Sequence, residues 1–74
     1  MKTYDDATLN EMINACKEAT RQLNYVKSKE KNKLFELRSY RRNEMILIRK
    51  RATALGLTEA DLVDIHHYVH DRND

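Results

Sequence analysis

The 74-residue chain has no proline and no tryptophan, one glycine and one cysteine. Without proline nothing in the backbone forbids helix, and Gly56 is the single position where a left-handed turn costs little. One glycine excludes a glycine-rich phosphate loop, and one thiol, Cys16, excludes an internal disulfide. The longest strongly apolar run is Met45 to Ile48. That is far short of the roughly 18 residues a membrane span needs, and no apolar signal segment follows Met1. These absences lead us to expect a cytoplasmic protein with no membrane contact.

What the chain has instead is charge. Charged residues make up 35% of it and its mean hydropathy is −0.85, near the disordered regime, yet its apolar residues recur at helical spacing. The charge is segregated: Lys17 to Arg51 holds twelve Lys or Arg against four Glu, while both ends are net acidic. Such a pattern favours contacts between the end of one subunit and the middle of another, or between the middle and an acidic partner such as DNA. A domain this small has a marginal core, so oligomerisation is expected to supply what is missing.

Tyr4 and Leu9 bracket an aspartate N-cap, with Thr8 and Glu11 as an alternative capping box. From there Leu9, Met12, Cys16, Ala19, Leu23 and Val26 alternate at spacings of three and four and form one stripe. The stripe fails in KSKEKNK, Lys27 to Lys33, which the sequence leaves open as exposed helix or turn. It resumes one residue out of register as Leu34, Leu37, Arg41, Met45, Ile48, Ala52 and Leu55, with Phe35, Ile46 and Leu47 widening the face. Two helices, about 6–26 and 34–55, account for that shift. Gly56 then closes the second helix, and Thr58 with Asp61 opens a third over about 59–70, with Leu57 and Leu62 at staple spacing and Leu62, Ile65 and Val69 on its apolar face. The fold class is all-α: two longer helices and a short C-terminal one, paired as a coiled-coil-like helical dimer in one self-association domain.

The stretch EMILIRKRATALGLTEADL, Glu44 to Leu62, resembles the end of the oligomerisation region of bacterial histone-like nucleoid-structuring (H-NS) proteins. In that family a long helix ends at a glycine and a short, acidic-started helix follows; Leu55, Gly56, Leu57, Thr58, Asp61 and Leu62 are the matching positions. The resemblance implies that Leu34, Leu37, Met45, Ile48, Leu55, Leu57, Leu62 and Ile65 line self-association surfaces, and that the N-terminal helix, with Leu9, Met12, Cys16, Leu23 and Val26, forms a first dimerisation site. These 74 residues contain no segment that resembles the family's DNA-binding domain, and the expectation is a chain that lacks it. The implied role is that of an assembly module that joins or caps filaments of an H-NS-like nucleoid protein and so modulates or antagonises a transcriptional silencer, as a product of a phage or mobile element would.

Chemistry of other kinds has little to stand on. His66 and His70 share a helix face at a spacing that can grip a metal, with His67 beside them, but no further ligand motif accompanies them. They fit better as a polar helix end that complements the dipole. Cys16 lies in the stripe as a core thiol, with no base paired to it in the sequence. Neither enzymatic activity nor a cofactor is expected. The basic segment is the stronger candidate. Lys27, Lys29, Lys31 and Lys33 spread around a helix, and Arg38, Arg41, Arg42, Arg49, Lys50 and Arg51 can follow phosphates or an acidic partner along a helix edge. A stand-alone basic DNA-binding regulator and a small inhibitor of an unrelated host protein are the competing functions.

Overall fold

A computed structural model describes residues 3–71 as three α-helices: α1 (Ala7–Leu23), α2 (Lys31–Ala54) and α3 (Glu59–His70). They run up, down and up, with α1 against both others and α2 and α3 touching least.

Each helix end follows from local chemistry. Asp6, in extended conformation, caps α1 by accepting from the Leu9 amide at 2.7 Å. The chain before it is clamped because Asn10 bonds both the amide and the carbonyl of Tyr4, at 3.1 and 2.6 Å. Tyr4 and Leu9 are both buried, as a staple requires. The expected extension of α1 to Val26 is not found, and the helix stops at Leu23. The Tyr25 amide donates back to Gln22, Lys27 and Glu30 close a turn at 2.8 Å, and the Glu30 carboxylate accepts from the Lys27 amide. KSKEKNK is therefore turn through Glu30 and helix from Lys31, three residues earlier than the apolar stripe resumes. Helix there needs no buried side chain, since Lys31 and Lys33 are good formers in solvent.

The other two junctions are tighter. Gly56 has φ of 83°, its amide donates to Thr53, and the Leu57 amide donates to Ala52. That pair of bonds is a Schellman motif, which a left-handed residue at this position makes possible. One residue beyond Leu57, Thr58 accepts from the Asp61 amide while the Asp61 carboxylate accepts from the Thr58 amide, a reciprocal capping box.

The core joins all three helices: Leu9, Ile13 and Cys16 from α1, Ile48 and Ala52 from α2, and Leu62, Ile65 and Val69 from α3, with Tyr4 at its edge. The residues expected in a dimer seam sit differently here: Leu9, Cys16, Leu23, Ile48, Leu62 and Ile65 are covered within one chain. The charge segregation also resolves within the chain: Arg51 grips Asp6 with two hydrogen bonds, at 2.8 and 2.9 Å, so an acidic end meets the basic middle intramolecularly. Among the described residues, no helix is long and apolar enough to cross a membrane.

Candidate interaction surface

Helix α2 has 24 residues against 17 in α1 and 12 in α3. At about 1.5 Å per residue it outreaches both neighbours, and this gives the molecule its 42 Å long axis. Only Ile48 and Ala52 of α2 are fully buried, whereas α1 buries seven residues. Leu34, Leu37, Met12, Val26, Met45 and Leu57 are half-buried, and Leu55 is exposed. Phe35 is 72% exposed, and Tyr40, Ile46 and Leu47 are each nearly half exposed.

Tyr40, Leu47 and Ile46 divide between two flanks. On one, Tyr40, Leu47 and Ala54 follow one another at seven-residue spacing among Lys33, Glu36, Glu44 and Lys50, so the charges there are mixed. On the other, Arg38, Arg41, Arg42 and Arg49 from α2 face His66 and His70 from α3 across an open groove of about 480 Å³, with Met45 and Ile46 between them. Among the described residues, no carboxylate lines that groove.

The groove is held from behind. Arg41 is half-buried and donates to the Thr20 hydroxyl at 3.1 Å, which ties its guanidinium to α1. Thr20 in turn bonds the Cys16 carbonyl. Across the groove the rings of His66 and His70 stack with centroids 4.1 Å apart. His70 Nδ1 lies 2.9 Å from the His66 carbonyl, an acceptor only, so Nδ1 carries the proton and Nε2 is left as the ring's second nitrogen. Burial, with the nearby Arg41 charge, holds the His70 pKa below its usual value even though the carbonyl bond pulls the other way.

Of the basic residues read from the sequence, Arg38, Arg41, Arg42 and Arg49 come together here. Arg51 is on another side of α2 and is engaged by Asp6. Lys27 and Lys29 lie in the α1–α2 turn, Lys31 and Lys33 at the exposed start of α2, and Lys50 on the outer face, all outside the groove. Among the described residues no group of three or more His, Cys, Asp or Glu is placed to hold a metal ion. Burial raises the Cys16 thiol to about 11, with Glu44 adding to the rise, which suits a core residue and not a nucleophile.

Sequence reasoning missed Lys17. It is 3% exposed, with its stem buried between α1 and α3 and its ammonium bonded to the Asp71 carbonyl, 5.0 Å from the Tyr68 ring centroid. A cation at the end of α3 complements the helix dipole. Its position one residue after Cys16 in the stripe was the available signal. No protein-family model, characterised protein or solved structure matches the chain.

Proposed function

We propose that the protein is a non-catalytic interaction module that modulates or antagonises an H-NS-like nucleoid silencer, docking through the outer surface of α2. The observation that carries this reading is the mismatch on α2: its Phe35 is 72% exposed and Ile46 and Leu47 are 49% and 48% exposed, although the same helix contributes only two fully buried side chains. Large apolar groups beside arginines are the composition of protein interfaces, in which Arg, Met and aromatic residues are enriched. The link to a silencer comes from the resemblance of Glu44 to Leu62 to the H-NS oligomerisation region.

Self-association, in this reading, uses the mixed-charge strip of Tyr40, Leu47 and Ala54. Two copies can lie antiparallel there without net repulsion, as they cannot across the arginine groove. Sedimentation velocity of the wild type and Leu47→Glu checks this: a concentration-dependent dimer that the variant abolishes is the expected result.

The functional test is co-sedimentation with a purified H-NS-like silencer, followed by bridging assays on DNA. Stoichiometric association and loss of bridging are expected. A silencer whose assembly ignores the protein contradicts the proposal. Tight binding to duplex DNA alone, with an affinity that falls steeply with salt, supports the stand-alone DNA-binding reading instead.

A further inference from the structure

We propose that the groove between α2 and α3 is the docking site for an acidic amphipathic helix on a partner protein. The inference rests on the interaction-module reading and deepens it by naming what the partner presents. From Arg38 to Arg49 the groove runs about 16 Å, or three turns, at 1.5 Å per residue. Its centre is Met45 and Ile46, the latter 49% exposed, and its ends are cationic: Arg38 and Arg42 on one side of the apolar patch, Arg49 on the other. The complementary helix carries one large apolar side chain with carboxylates about a turn before and a turn after it. Methionine adapts its shape to such an anchor, and guanidinium groups bind carboxylates in paired hydrogen bonds.

Three other occupants fit less well. A phosphodiester backbone matches the charge but leaves Met45 and Ile46 uncovered. A second copy brought up by two-fold symmetry sets arginines against arginines. The chain's own α3, docking head to tail, offers Glu59 one turn before the exposed Val63, but it has His66 and His67 one turn after it.

The test titrates the isotope-labelled full chain with a 15-residue alanine-based helical peptide carrying one leucine and glutamates three and four residues to either side. Saturable amide shifts confined to Arg38 through Arg49 and His66 through His70 are expected. Arg42→Glu and Ile46→Asp, both at exposed positions, are expected to weaken binding about tenfold each, while thermal unfolding of the unliganded variants stays near wild type. Replacing the leucine of the peptide by glycine is expected to weaken it similarly. Equal binding of the glycine peptide, or shifts centred on Lys27 to Lys33, reduces the effect to diffuse charge and overturns the proposal. A 16-base-pair duplex that binds the same amides more tightly overturns it in favour of nucleic acid. Concentration-dependent shifts at Arg38, Arg42, Ile46, Arg49, His66 and His70 that persist in Leu47→Glu with no peptide present overturn it in favour of a second copy. The two levels separate in co-sedimentation. If the silencer associates equally with wild type and Arg42→Glu, the groove fails and the module reading stands. If the silencer ignores the wild type while the peptide binds the groove, the reverse holds.

Discussion

Helices α1 and α2 bury their residues differently, and the proposed docking surface follows from that difference. Helix α1, with 17 residues, buries Leu9, Ile13, Cys16, Lys17, Ala19, Thr20 and Leu23. Helix α2 has 24 residues and buries Ile48 and Ala52 alone. A helix between two neighbours needs a wide buried face, and α1 has one because it packs on both α2 and α3. Helix α2 serves as a backing for α1 and keeps two flanks open. Stability therefore depends mainly on α1, and in the proposed reading recognition depends on α2.

Substitutions can break that contrast. Ile13→Ala removes a side chain with no exposed surface and is expected to cost about 3 kcal/mol in urea denaturation, whereas Ile46→Ala, at 49% exposure, is expected to change stability by less than about 0.5 kcal/mol. Equal costs would mean that α2 is as buried as α1. Cys16 reports the same contrast without a mutation. Its thiol is raised from 9.0 to about 11, so its thiolate population falls about a hundred-fold, and alkylation by iodoacetamide is expected to be slower than in the urea-unfolded chain by at least that factor. Rapid labelling of the native protein would show that α1 is not seated.

Smaller effects sharpen the contrast at the corners. Thr58→Ala removes a hydroxyl that accepts from the Asp61 amide, and a loss of about 1 kcal/mol is expected, with α3 fraying before α1 in amide exchange. The smallest effect is with pH. The His70 pKa is lower in the fold than in the unfolded chain, chiefly through burial, so the unfolded state binds the proton more readily. Its contribution is present above the ordinary histidine value of 6.5 and is lost as pH falls through the lower, folded value. Asp6, held low mainly by its hydrogen bond from Arg51, adds a second loss below the ordinary value of 3.8. Thermal melts from pH 8 to pH 3 are expected to show both losses in the same direction. His70→Asn removes the first, and a melting temperature that rises on acidification through pH 6 would contradict the assignment.

Much of the architecture was legible in the sequence because it is local. Gly56 as a stop, Thr58 with Asp61 as a start, and Leu62, Ile65 and Val69 as a buried face all depend on neighbours within a turn or two. The end of α1 and the start of α2 were misplaced by three residues each, because apolar spacing marks where a helix is buried and not where it begins or ends. Spacing also leaves unsaid what covers a stripe. Leu9, Cys16 and Leu23 read equally well as a seam between two chains and as the interior of one, and the strict three-four alternation hid Ile13 and Thr20, which a helix between two neighbours also buries. The arginines of the groove were named individually, but their meeting with His66 and His70 depends on the tight turn at Gly56, which lays α3 back along α2.

Whether the stripe of α1 closes the core of its own chain is tested most directly by nuclear Overhauser contacts among the methyl groups of Leu9, Ile13, Ile48 and Ile65. They are measured first in a uniformly labelled sample, then isotope-filtered in a mixture of labelled and unlabelled chains that has been unfolded and refolded together. Contacts present in the first sample and absent between chains in the second are the predicted result. Strong contacts between labelled and unlabelled chains would mean that two copies share this core, which contradicts the account.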